Sequence, residues 1–340
     1  MTNLPEISIA LQTNKPLQEY ARIASSVEDY GFDRITVYND LLYQPAWYPL
    51  MIMAQATETI RLGVSAVNPF TSHPVNIAGN IALLDEVSKG RAYLGIARGA
   101  WLDFLALDHP NPISAVKDAI VAVKHLLAQD KSELYSNHFP LKGGDVFRWT
   151  ILRADVPILL GTWGLKLISK CLGNFEEVKL GGTANPEVTK YYHNKIVELA
   201  KSANLDKIPQ IVAGAVCVVD KESEVAKAHA RKEVALYLPV IAHLDPTLKI
   251  RASVLVNIEA AAAEFNFEEA GSFISDEMLR KFSFSGTSED VIRQTISLLD
   301  SGTFRVEFGT PHGLDSENGI NLLGTKVLPA VREHIDDHWK

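Results

Sequence analysis

The chain has 340 residues, 47% of them hydrophobic and 22% charged, which is enough for one large α/β domain or two smaller ones. Its 33 basic and 41 acidic residues leave a net charge of −8, which argues against a general phosphate-backbone binder, so no nucleic-acid partner is expected. No basic n-region followed by a long apolar stretch opens the chain and no apolar run approaches a membrane span, so the expectation is no membrane association and a reducing cytoplasm.

Short apolar runs alternate with longer segments of helical periodicity. EISIALQ (6–12) precedes PLQEYARIASSVEDYG (16–31), which stops at Gly31. The cycle repeats with FDRITVYND and WYPLMIMAQATET, with IRLGVSA and PVNIAGNIALLDEVSKG, and with RAYLGIARG and ISAVKDAIVAVKHLLAQ. Further on, VPILLG leads into GLKLISKCLG, EEVKLGG into NPEVTKYYHNKIVELAKSAN, and PQIVAGAVCVV into a long stretch beginning KESEVAKAHARKEVALYL. A last strand, RVEFG, precedes ENGINLLGTKVLPAVREHI. Eight strands, each followed by helical sequence, predict an α/β chain folded as a closed (β/α)8 TIM barrel, with a doubly wound open sheet as the rival.

Two stretches break the rhythm. Residues 131–155 hold aromatic, glycine and turn-forming residues suited to a hairpin or a lid. Residues 240–285 extend the seventh crossover, and Thr287 or Ser288 is placed to cap the helix that follows. Without a linker or repeat, residues 1–340 are assigned to one domain with these two insertions; the alternative is a boundary near 131–155. Cys171 and Cys217 are too far apart for a metal knuckle, and neither is read as a disulfide partner or nucleophile.

In such a barrel, chemistry gathers at the carboxyl ends of the strands. Those ends are polar or glycine-rich: Gln12, Thr13 and Asn14; Asn39 and Asp40; Ser65 through His73; Arg98, Gly99 and Asp103; GTWG (161–164); GGT (181–183); and GTPHG (309–313). No HExxH, paired CxxC, nucleophile elbow or Walker sequence occurs, so no metal site, serine acylation or ATP binding is expected.

The segment NPFTSHPVNIAGNIALLDEVSKGRAYLGIARG, with GTWGLK and FSFSGTSEDVIRQTISLLDSGTFRVEFGTPHG, resembles the bacterial luciferase-like superfamily. The nearer likeness is to its branch using the deazaflavin coenzyme F420, which includes methylenetetrahydromethanopterin reductases. That resemblance implies coenzyme F420, with FMN as the alternative. It also implies a non-prolyl cis peptide at Ser65-Ala66 behind the ring, flanked by Asn68 and His73. Gly161, Thr162, Trp163, Gly164, Gly181 and Gly182 become candidates for the phosphate tail, with Lys166 beside them, because glycines and a helix start near Gly164 bring N–H groups to an anion.

Asn39 and Asp40 fall where the family often has an acidic residue followed by histidine. A carboxylate thus replaces the imidazole, and Asp40 is the candidate acid or base, an exposed loop aspartate being the alternative. Ala100 stands where relatives often carry an acid, so Asp103 is the nearest substitute, and Arg98 and Gly99 are candidate coenzyme contacts. His73 is a candidate catalytic hydrogen-bonding group or a helix cap; Gln12, Asp103 and His312 are candidate substrate contacts. The implied activity is hydride transfer with a small-molecule substrate, reduction of a C=N or C=C bond being favoured. The alternatives are an FMN-dependent monooxygenase and a non-catalytic ligand-binding barrel. Homodimerisation through WYPLMIMAQAT is implied as well.

Overall fold

The computed structural model describes residues 4–100, 102–107 and 110–339. In chain order it runs β1 (Glu6–Leu11), α1 (Leu17–Asp29), β2 (Arg34–Val37), α2 (Trp47–Gln55), β3 (Arg61–Val67), α3 (Pro74–Val87), β4 (Ala92–Ala97) and α4 (Pro112–Leu127). There follow β5 (Ile158–Gly161), α5 (Leu165–Cys171), β6 (Glu177–Gly181), α6 (Pro186–Ser202), β7 (Gln210–Val219) and α7 (Ser223–Ala235). The insertion supplies α8 (Leu238–Leu244), α9 (Ala252–Ala263), α10 (Phe267–Ser272), α11 (Asp276–Phe282) and β8 (Ser283–Gly286). The chain ends with α12 (Ser288–Asp300), β9 (Arg305–His312), α13 (Ser316–Leu322) and α14 (Leu328–His338).

The sheet closes. β1 pairs in parallel with both β2 and β9, the chain of pairings continues through β6 to β7, and β7 returns to β9. Local chemistry sets the crossovers: Asn185 caps α6 through the Glu187 N–H with Pro186 in its first turn, and Thr287 and Asp290 form a reciprocal capping box on α12. The outward residues of the strands, such as Ile7, Ile9, Ile35, Val178 and Val306, pack against the helices in one continuous apolar layer. Among the described residues, no helix is long and apolar enough to cross a membrane.

A ninth strand departs from the sequence expectation, which placed SFSG inside a crossover. β7 is ten residues long, and β6 occupies its flank only through Gly214. β8 takes up the remaining edge, pairing Ser283 through Gly286 with Val216 through Val219. The unused hydrogen-bonding edge of a long strand explains the addition. Around it, α7, α9, α10 and α11 bury a core of their own, including Ala230, Val234, Leu255, Ile258 and Leu279.

Of the hairpin or lid expected for residues 131–155, the structure has a short hairpin that continues as a strap. One antiparallel bridge, Leu134 to Leu141, supplies the hairpin character. The segment then lies along α3 and α4: His138 meets Asp118 at 2.8 Å, Phe147 and Trp149 cover Gly79, and Arg153 pairs with Asp85 while donating to the Ala92 carbonyl at 2.9 Å.

The barrel interior holds a ladder of charge. Branched apolar residues usually fill this space. Here Arg61 and Arg34 both bind Glu6, Arg34 and Arg305 share Glu177 at 2.9 Å each, and Glu307 is held by Arg305, by the Thr36 hydroxyl at 2.5 Å and by Lys179. Tyr93 lies between two guanidinium groups, 5.1 Å from Arg34 and 5.3 Å from Arg305, and packs on Leu159 and Val212. Gly63 makes that possible, because a Cβ there would sit 2.5 Å from the Tyr93 ring. Burial would raise the carboxyl of Glu307, but Lys179 and Arg305 overcome it and hold the group below the usual carboxylate range.

Candidate functional site

Above the ladder the interior side chains become small. Following the inward alternation, Ser8 gives way to Ala10, Tyr93 to Gly95 and Ala97, Leu159 to Gly161, Lys179 to Gly181, and Glu307 to Gly309. The result is a hollow at the carboxyl end of the barrel. A Cβ added to Gly181 would meet nothing within 4 Å, while one on Gly161 would face Ala97 and Ala66 at 3.3 and 3.9 Å. Tyr38, Lys179 and Ser65 line the floor, with the Lys179 ammonium 5.1 Å from the Tyr38 ring and 3.4 Å from the Ser65 hydroxyl. The Ser65-Ala66 peptide is cis, and the pairing of β3 with β4 shifts register between Val64 and Val67.

Asp40 stands at the rim. The Gln12 amide donates to it at 2.7 Å while the Gln12 carbonyl accepts from Thr13 N–H, so the first two strand ends are tied together. Beside them Asn39 accepts from Ala46 N–H at 3.3 Å and opens α2. Two phenols face this carboxylate. Burial, with Glu307 and Asp40 nearby, holds Tyr38 well above the ordinary phenol value; partial burial, with Asp40 and Tyr43 nearby, raises Tyr237, which stays 44% exposed. Both therefore remain proton donors at neutral pH. Tyr237 comes from the junction of α7 and α8, so the insertion brings a phenol within electrostatic range of Asp40.

The remaining candidates divide. Asn68 is nearly buried and its carbonyl gathers Phe70 N–H, Thr71 N–H and the Thr71 hydroxyl at 2.9–3.1 Å, which fixes the loop after β3. Gly99 adopts φ +91° against the Asn68 amide. Arg98 and Asp103 are exposed, and the network around Asp40 includes neither.

Three expectations are corrected. The phosphate cradle at the fifth and sixth strand ends has already spent donors: Thr162 N–H goes to the Lys179 carbonyl, Gly164 N–H to the Thr162 hydroxyl, and Gly182 N–H to the Gly214 carbonyl. Trp163 donates to the Gly181 carbonyl at 3.1 Å, α5 is only seven residues long, and Gly182, at φ +81°, lies under Ile241. These residues brace the two strands and seat α8. His73 uses Nδ1 to accept Val75 N–H as the cap of α3, and its ring stands edge-on to Phe139 of the strap at 5.4 Å. His312 is wholly buried, with Nε2 3.0 Å from the Ala10 carbonyl, and cannot touch a substrate.

Reading strand ends alone missed Tyr38, Lys179, Glu307 and Tyr237. The first three carry a signal, the every-second-residue polar pattern of Arg34-Thr36-Tyr38, Glu177-Lys179 and Arg305-Glu307. Tyr237 carries none, since its position depends on how the insertion folds back.

The family model for luciferase-like monooxygenases matches residues 2–303. This chain belongs to that family. Among its members, the 5,10-methylenetetrahydromethanopterin reductase of Methanolobus tindarius is 28% identical over 92% of this chain and 96% of its own length. The solved coenzyme F420-dependent tetrahydromethanopterin reductase from Methanopyrus kandleri superposes with a TM-score of 0.87 at 25% identity, over 99% of this chain and 100% of that one. An F420-dependent secondary alcohol dehydrogenase, solved with an F420-acetone adduct, shares the fold at a TM-score of 0.77 and 17% identity, over 97% and 99% of the two chains.

The corrected role of His312 has a measurable consequence. Burial pushes its imidazole down to about 4 from an ordinary 6.5. The unfolded chain takes up this proton first, so the stabilisation is complete above about pH 6.5 and is lost as pH falls toward 4, amounting to roughly 3 kcal/mol. Replacement by asparagine, which tolerates the φ of +76° at this position, removes that component. Urea unfolding of wild type and His312→Asn at pH 8, 6.5, 5 and 4 is expected to show the wild type losing the greater stability; parallel pH profiles would refute the assignment.

Proposed function

We propose that this chain is a coenzyme F420-dependent oxidoreductase that transfers a hydride between the deazaflavin and a small organic substrate. The observation that carries this reading is the hollow above Lys179, Tyr38 and Ser65. It is bordered by Ala66, Ala97 and Gly161 and open at Gly181, where a side chain would otherwise stand. Near full-length similarity to tetrahydromethanopterin reductases, one of them titled coenzyme F420-dependent, favours the deazaflavin over FMN. When bound, the coenzyme supplies the hydride chemistry. The protein's share is to orient ring and substrate, exclude water and handle the proton.

Reduction of a C=N or C=C bond suits the proton groups present. Tyr38 and Tyr237 stay neutral phenols near Asp40, so they can donate hydrogen bonds that orient an acceptor as it is reduced, while their raised values leave the proton transfer itself to another group. Asp40 is assigned the acid-base role, with Gln12 fixing its carboxylate. The protein is further proposed to be a homodimer. α2 is apolar on both sides, burying Leu50 and Met53 while Met51 and Ile52 are only partly covered and Tyr48 is 66% exposed. Leu42 and Leu83 are exposed as well.

Four measurements test these proposals. Spectral titration is expected to show binding of F420; tight FMN binding with none of F420 would overturn the coenzyme assignment. Gly181→Leu should leave thermal unfolding within a few degrees of wild type yet weaken coenzyme at least tenfold, whereas unchanged affinity would mean the ring lies elsewhere. Asp40→Asn should lower turnover tenfold or more with coenzyme affinity nearly unchanged, and full turnover would remove its acid-base role. Light scattering at micromolar concentration is expected to give twice the chain mass, and a persistent monomer would refute the dimer.

A further inference from the structure

The charged ladder has seven members, and its two ends differ. Four cations, Arg61, Arg34, Arg305 and Lys179, alternate with three carboxylates, Glu6, Glu177 and Glu307, leaving one positive charge in excess. At the amino end of the barrel that surplus meets water through Arg61, whose side chain is 43% exposed. At the carboxyl end the terminal member is Lys179. Glu307 and Arg305 below it are fully buried, whereas the Lys179 side chain retains 9% exposure, beside Ser65 and the face of Tyr38.

Desolvating several charges is expensive, and an apolar filling of equal volume is often as stable or more so. The ladder is therefore poorly explained by stability alone. Its arrangement does deliver an ammonium to the floor of the hollow, pre-paired and oriented, in surroundings where its field is weakly screened. Resting on the deazaflavin reading above, we propose that Lys179 is an electrostatic partner of the bound ring and favours its reduced form. Taking up a hydride adds one proton and two electrons, hence one negative charge, to the ring, while Lys179 keeps its own proton. A fixed cation at the floor stabilises the charge gained, and charge near the ring is one of the means by which a protein tunes such a cofactor. Glu307 and Thr36 are positioning groups here: the carboxylate holds the ammonium and the hydroxyl holds the carboxylate.

The test compares affinities of the oxidised and reduced coenzyme, measured anaerobically by absorbance and fluorescence titration of the full chain. Wild type is expected to bind reduced F420 more tightly than oxidised F420. Lys179→Met, and the double variant Lys179→Met/Glu307→Gln that leaves no lone buried carboxylate, are expected to lose at least tenfold of that preference. For a two-electron couple this lowers the potential of the bound coenzyme by about 30 mV. Lys179→Arg should keep the preference within about threefold of wild type. Equal weakening of both redox forms, or a loss in Lys179→Arg as large as in Lys179→Met, would show a merely structural lysine and overturn the proposal. Should neither substituted chain fold, the wild-type measurement decides, because a reduced form bound no more tightly than the oxidised one refutes it. The same titrations with FMN separate the two readings. A chain that binds FMN alone removes the F420 assignment and leaves Lys179 to be judged on the FMN ratio; a chain that binds neither ring removes both.

Discussion

A buried chain of alternating charges governs this barrel. Removing any middle member strands an ion in a space that water cannot reach, so the residues of β1, β2, β6 and β9 are bound to one another's positions as firmly as by shape. Glu177 sits at the junction, accepting from guanidinium groups on two strands that are not neighbours, Arg34 of β2 and Arg305 of β9. The requirement that every charge keep its partner fixes the relative heights of the strands, and those heights determine where the small side chains of the hollow begin. Tyr93 adds to this by covering both guanidinium faces while its hydroxyl reaches Thr36 at 2.6 Å.

The site is assembled from distant parts of the chain. β2 brings Tyr38 and Asp40, β1 brings Gln12, β3 brings Ser65 and Ala66, β6 brings Lys179 and Gly181, and the helical insertion brings Tyr237. Apart from Tyr237, each lies at or near the carboxyl end of its strand, where parallel strands release their chains into loops. Around Asp40 the polar groups are donors: the Gln12 amide and two phenols held in their protonated state. Donors of this kind fix the carboxylate's orientation at the rim.

Much of this was legible from sequence. The eight-fold alternation stood out because helix and strand periods differ and the crossovers are amphipathic, as in α1 with Tyr20, Ile23, Ala24 and Val27 turned inward. Asp40 and Gln12 were legible because strand ends are where such folds place chemistry, although their mutual hydrogen bond was not. The ladder went unread for a physical reason: polar residues at every second position of a strand normally mark a solvent face, and only closure of the sheet turns that face inward. His312 and His73 misled because a histidine beside a strand end looks the same in sequence whether it meets a ligand, a buried carbonyl or a helix terminus. β8 had no signal either, since its pairing depends on an edge that exists only once β6 has ended.

The separate hydrophobic core of the insertion bears on how such a protein diversifies. The helices carried by the insertion pack mainly on one another, and that cluster meets the barrel along the outer stretch of β7, with Ile241 resting over Gly182. Substitutions within the insertion can therefore reshape what hangs over the mouth without disturbing the ion pairs beneath it. The charged floor and the roof over the mouth are under separate structural control, so the shape of the roof can change while the ion pairs of the floor stay as they are.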